Sequence, residues 1–209
     1  AFWARVRGLG GGSAGRAWDK IGTGVGKFCI LATGQTIMRV SVGYTTTNLI
    51  VESTAGYVDT SGAFNHYMGT WDGTNTASNS PLYKNGVRQT AYQRQVNGVG
   101  AVQSDSTKNL LIGNSTNLDR NSNADISDFA MWNVQLTDEE CNKLATSRTR
   151  YMPLQIRPAS LVRYFPCDDF PEGAVMSGTR AVRDRTSFAG GGTPTNSPIG
   201  RAEKVVSYP

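Results

Sequence analysis

Histidine is almost missing from this chain, with His66 alone among 209 residues. An imidazole-based nucleophile system therefore has one candidate, and no Gly-x-Ser-x-Gly elbow or cysteine-protease signature accompanies it. The preferred reading of His66 is a hydrogen-bonded strand histidine. Glutamate is scarce too: Glu52, Glu139, Glu140, Glu172 and Glu203 are the full set, and only 139 and 140 are neighbours, where a helix start accounts for them. Cysteine is limited to Cys29, Cys141 and Cys167 without Cys-x-x-Cys spacing, which argues against a zinc site or a disulfide framework. Free buried thiols, as in a reducing cytoplasm, are the favoured state, with one bridged pair as the alternative. No apolar run approaches the ~20 residues that cross a bilayer, and no basic-then-apolar leader opens the chain, so neither a transmembrane segment nor a signal peptide is expected.

Blocks of like charge are absent as well. The 21 Lys and Arg and 16 Asp and Glu are scattered, giving a formal charge of +5 and a pI near 9.2. No nucleic-acid motif is present. The mild positive field is a long-range bias toward acidic glycans or acidic protein surfaces that salt weakens. The glycine run between Gly8 and Gly15 lacks the Gly-Lys-Ser/Thr ending of a phosphate-binding loop and reads as a flexible connection.

What is abundant is turn chemistry: 24 glycines, with much Ser, Thr and Asn, against only 18% charged residues. A single domain over residues 1–209 is the default for this length. In "AFWARVRGLG" Phe2, Ala4 and Val6 share one face and Trp3, Arg5 and Arg7 the other, the period of a strand. Further strands are expected near 27–32, 37–43 and 48–53, then in "FNHYMGTW", on both sides of Asn85-Gly86, in "NLLIGNS" (109–115) and in "DISDFAMWNV" (125–134). Asn-Gly accepts the positive φ angles of a type I′ hairpin. The polar stretch Thr74 to Ser80 predicts an exposed loop.

One helix is expected in "LTDEECNKLATSRTRY". Thr137 and Glu140 have capping-box spacing, and Leu136 and Cys141 flank them as a hydrophobic staple. Acidic Asp138 and Glu139 lie at the positive end and Arg148 and Arg150 near the negative end. This helix should cover a sheet edge or end. Beyond it come a proline-bounded linker, "MPLQIRP", another strand in "SLVRYFPCDD", and a Gly/Pro-rich arm at 186–209. The pattern predicts an all-β, two-sheet antiparallel jelly-roll sandwich with one short helix.

The ordered series "FNHYMGTWDG", "LYKNGV", "NLLIGNS" and "ADISDFAMWNVQLTDEE" resembles the laminin-G-like branch of the concanavalin A-like superfamily. The strand "LVRYFPCDD" resembles what usually opens such a domain. Residues 161–185 therefore read as a circularly rearranged strand region, with an extension that packs on a neighbour as the rival. Forms with this arrangement, including "GRAWDK" after a Gly-rich loop, are similar to proteins of tailed bacteriophages. That likeness implies a non-enzymatic, surface-exposed virion component, a capsid decoration or appendage protein folded in the host cytoplasm. Its partners would be neighbouring virion subunits or cell-surface glycans, in a homo-oligomer or larger assembly. The alternative is a free lectin-like carbohydrate-binding protein. A glycoside hydrolase ranks last, because the family's Glu-x-Asp-x-x-Glu strand pattern is not in the chain.

For sugar contact, an aromatic platform with polar neighbours is sought. Trp18, Trp71, Tyr83 and Trp132 are the possible platforms, with Asp72, Asn75 and Asn79 as polar neighbours; Trp71 beside the polar loop is the first choice, and Trp132 is assigned to the core. No cofactor is required, but the resemblance implies calcium as a ligand for loop oxygens. The alternating Asp119, Asn121, Asn123 and Asp125 are the candidates, against an Asx-rich turn as the alternative.

Overall fold

The computed structural model describes residues 1–22, 25–147, 152–167, 182–183, 185 and 191–192. The chain runs through β1 (Phe2–Val6), β2 (Ala14–Gly22), β3 (Val25–Thr33), β4 (Met38–Val42), β5 (Leu49–Ser53), β6 (Asn65–Gly69), β7 (Leu82–Lys84) and β8 (Val87–Arg88). It continues with β9 (Tyr92–Val96), β10 (Leu111–Ile112), β11 (Ala124–Ser127), β12 (Phe129–Trp132), α1 (Asp138–Thr146) and β13 (Leu161–Phe165). A five-stranded sheet has the order β11-β1-β6-β7-β8, and a six-stranded sheet has β10-β2-β3-β4-β5-β9. The strands of both sheets pair antiparallel throughout.

Alternation along the strands sorts the side chains. Phe2, Tyr67 and Leu82 of one sheet meet Cys29, Leu31, Met38, Val40, Leu49 and Val51 of the other in the main core. The five-stranded sheet is also covered on its outward face. There Met68 and Tyr83 pack against Leu136, Cys141 and Leu144 around α1, and against Met152 and Ile156 beyond it. Leu136 and Cys141 are both buried, as a staple requires. The full capping box is present: Thr137 Oγ1 accepts from the Glu140 backbone N–H, and Glu140 accepts from that of Thr137. The helix lies on β8 and the hairpin turn before it. In that turn Asn85 and Gly86 have φ of 51° and 77°, the type I′ signature.

Three local expectations are corrected. "DISDFAMWNV" is two strands, because Asp128 takes a positive φ of 48° and swings the chain from its pairing with β1 to one with β13. Its carboxylate accepts the Tyr164 hydroxyl at 2.6 Å, and Asp tolerates the left-handed region better than most residues. The 74–80 segment is only partly exposed: it contains a 3₁₀ turn at Ala77–Asn79, with Ala77 and Ser80 buried. The "MPLQIRP" linker is packed, with Met152, Pro153 and Ile156 buried and a 3₁₀ turn over Met152–Gln155. Of the expected arm at 186–209, only Gly191–Gly192 is described, paired with Val182–Arg183, and the two arginines expected near the helix end lie outside the described residues.

Candidate functional site

The connection from β6 to β7 carries four of the five residues singled out for sugar contact, and β7 carries the fifth. Trp71 is half-buried against the main core. Its indole N–H donates to the Thr74 carbonyl at 2.7 Å, an oxygen that also accepts the Tyr44 hydroxyl at 2.8 Å. The Lys27 ammonium lies 5.5 Å from the Trp71 ring centroid. Trp71 thus fastens the loop rather than standing clear of the surface. Asn75 fastens it again, its amide donating to the Gly98 carbonyl at 3.2 Å.

Asp72 organises the remainder. It accepts the Thr74 backbone N–H at 2.9 Å, the Thr74 hydroxyl at 2.7 Å and the Asn79 amide at 2.9 Å. Slight burial would raise its pKa, but the Thr74 and Asn79 hydrogen bonds outweigh that and hold the carboxyl below the ordinary aspartate value. Tyr83 is only 1% exposed, so its ring is not free to stack on a sugar. Its hydroxyl donates to Asp138 Oδ1 at 2.6 Å, and burial, followed by that carboxylate, pushes its pKa up and keeps it a donor.

These residues meet where the loop, the β7–β8 hairpin and the start of α1 come together. A cleft of about 310 Å³ is lined there by Asp72, Asn79 and Tyr83 with Arg88, Gln135 and Asp138, beside buried Pro81 and Leu136. Trp71 and Asn75 do not line it. Gln135 donates to the Asn79 carbonyl at 2.8 Å and to Thr70 Oγ1 at 3.2 Å, which ties the loop to the segment entering α1. Arg88, Gln135 and Asp138 escaped the sequence reading. A signal for them existed in the capping box, which puts Asp138 at the first turn of a helix, but the hairpin's place under that helix is a tertiary fact.

The calcium candidates are strung along the glycine-rich loop. Asp119 accepts the Ser115 hydroxyl at 2.7 Å. The backbone carbonyls of Asn121 and Asn123 each accept at 2.8 Å, from the Gly11 and Arg7 N–H groups. Asp125 is held by Arg5 at 2.7 Å and by Arg7. Burial would raise its pKa, but the two guanidiniums overcome this and depress it. Its charge is thereby already neutralised within the protein, and no group of three or more His, Cys, Asp or Glu among the described residues is placed to hold a metal.

His66 is 3% exposed, beside Trp3 with ring centroids 5.4 Å apart. Its backbone N–H donates to Asn85 Oδ1 at 2.8 Å, whereas its buried Nδ1 has no hydrogen-bond partner. His66 is thus a strand histidine, as expected, but it is hydrogen-bonded through its backbone while its Nδ1 is left without a partner. Burial keeps the imidazole neutral by lowering its pKa to about 3. Two more acids, Asp19 and Glu52, are buried on the outward face of the six-stranded sheet. Asp19 lies 3.5 Å from Arg16, while Glu52 lies 2.5 Å from Arg39 and 3.7 Å from Arg94.

Two antiparallel sheets packed into a sandwich, with a polar cleft at the foot of the one α-helix among the described residues, define a jelly-roll fold. Residues 1–142 match the family described as the concanavalin A-like lectin/glucanases superfamily, in its laminin G branch, and the chain belongs to it. Among solved structures it is similar to one from Bacteroides ovatus ATCC 8483 described as "a putative carbohydrate binding protein", at 17% identity and a TM-score of 0.55. The match covers 88% of this chain and 48% of that one, so this chain spans about half the length of the neighbour. No curated protein matches it. No helix among the described residues is long and apolar enough to cross a membrane.

Proposed function

We propose that this protein is a non-enzymatic carbohydrate-binding module whose sugar site is the cleft between the 72–79 loop, Arg88 and Asp138. The observation that carries the reading is the fixed polar lining of that cleft. Asp72 is locked by Thr74 and Asn79, Asp138 by Tyr83, and Gln135 holds the loop. Polar groups held in place are what fix a ligand's orientation in a small-molecule site, and this mostly polar lining suits a hydroxyl-rich ligand better than an apolar one. The volume of about 310 Å³ lies near the lower limit of the roughly 300–1,000 Å³ range of such pockets, which suits one or two sugar rings. Of the two binding roles drawn from the sequence, the lectin-like one gains support from the Bacteroides neighbour. The virion role gains none.

Bond cleavage would need a paired acid and nucleophile or base roughly 5–9.5 Å apart. In the cleft Asp72 is held ionised by its hydrogen bonds, and Asp138 serves as acceptor to Tyr83. On the six-stranded sheet Asp19 and Glu52 stand three strands apart, about 14 Å at the ~4.8 Å strand spacing, and each faces an arginine. Glycan-array binding that is lost in Asp72→Asn and Arg88→Gln is the expected result. Release of reducing sugar from any bound oligosaccharide, abolished by a carboxylate substitution, would overturn the non-enzymatic reading.

A further inference from the structure

We propose that this cleft selects neutral sugar rings with adjacent hydroxyls over sugars that carry a carboxylate or sulfate. The selectivity rests on the sugar-binding reading of the same cleft. Asp72, Asp138 and Arg88 are the charged residues of its lining, so two carboxylates against one guanidinium leave an excess of negative charge.

Both carboxylates keep room for a ligand. An ionised carboxylate has about four acceptor positions. Asp138 Oδ1 accepts the Tyr83 hydroxyl at 2.6 Å, while Oδ2 has only a long 3.5 Å contact with Arg88. Asp72 Oδ1 is taken by the two Thr74 donors, whereas Oδ2 accepts the Asn79 amide. Arg88, joined to Asp138 by that one long contact, brings donors of its own.

A pair of adjacent hydroxyls matches this set, since one can donate to a carboxylate while the other accepts from the guanidinium. A sugar carboxylate or sulfate offers acceptors alone and sets a like charge beside Asp72 and Asp138, which binding sites use to reject wrong partners. Pro81 and Leu136 border the same cleft but are buried, so recognition of a ring falls to the polar groups. The overall charge of +5 biases the chain toward acidic glycans. That bias is screened over roughly 8 Å at physiological salt, whereas the cleft carboxylates act in contact.

The test uses the full chain, titrated calorimetrically with neutral hexose-terminated oligosaccharides and with the same chains ending in a uronic or sialic acid. The neutral set should bind about 10-fold or more tightly than the acidic set. Asp72→Asn and Asp138→Asn, both at exposed positions, should each weaken neutral-sugar binding about 10-fold, as expected for a lost hydrogen bond to a charged group. Together they should narrow the gap to the acidic set, with circular dichroism confirming the fold. If the acidic set binds as well or better, and Arg88→Gln weakens it, the selectivity is wrong while the sugar site stands. If neither set binds, or none of the three substitutions changes binding, the sugar-binding reading itself fails and the selectivity with it.

Discussion

Burial keeps the His66 imidazole neutral, and the consequence can be measured. Its pKa falls from 6.5 to about 3 in the fold because the charged form would be desolvated. As pH drops below 6.5 the unfolded chain gains a proton that the folded chain refuses, so stability decreases with falling pH until about 3. The slope approaches about 1.4 kcal/mol per pH unit. His66→Leu should remove this slope between roughly pH 6 and pH 4.5, a window in which the difference in urea midpoints between the two proteins isolates the imidazole. A difference that stays constant with pH would show that the wild-type ring protonates in place. Tyr83→Phe probes the cleft in the same way. The ring stays in its pocket, the hydroxyl donor to Asp138 disappears, and the expected loss is about 1 kcal/mol with weaker sugar binding.

Local chemistry determined the hairpin and the helix, which is why both were legible. Asn85-Gly86 accepts two positive φ angles, and Thr137 with Glu140 closes a capping box. Thr137→Ala should cost about 1 kcal/mol in thermal or urea unfolding. Gly86→Ala should cost more. The added Cβ would lie 2.7 Å from the Asn142 Cα of the helix, at a φ of 77° that only glycine adopts freely, which alone costs roughly 1–2 kcal/mol. Because that turn seats α1 on β8, the same substitution should loosen the cleft and lower sugar affinity, and Thr137→Ala, at a residue that lines the cleft beside Asp138, should lower sugar affinity as well as stability. The break between β11 and β12 was not legible. "DISDFAMW" alternates well enough for one strand, and what divides it is the competition of β1 and β13 for pairing partners, a contest between segments distant in sequence. The order within 74–80 was missed for a related reason: it comes from Trp71, Tyr44 and Gln135 side chains reaching in, not from burial by the segment itself.

Stacking two sheets leaves two outward faces, and the charges on them have different settings. On the six-stranded sheet, Glu52 sits in register between Arg39 of β4 and Arg94 of β9, a cross-strand row that ties three strands. On the five-stranded sheet, the outward face carries α1 and the cleft. The sequence indicated the sandwich through its turns and alternation, and it pointed to Asp72 and Asn79 because a polar loop beside an aromatic strand is a reasonable place to look. It could not separate Trp71 from them, since only the packed structure shows that Trp71 lies against the main core while Asp72 lines the cleft. This division makes a paired prediction. Glu52→Gln removes a carboxylate that is 4% exposed between two guanidiniums. It should destabilise by about 2–3 kcal/mol, below the ~3–5 kcal/mol of a fully buried pair because the arginines are partly solvated. Sugar affinity should be unchanged, because the cleft lies on the other sheet. Asp138→Asn should do the converse, sparing the unfolding free energy in urea to within about 1 kcal/mol while weakening sugar binding. If a folded Glu52→Gln protein instead lost its sugar and Asp138→Asn kept it, the binding face would be the charged row of the six-stranded sheet.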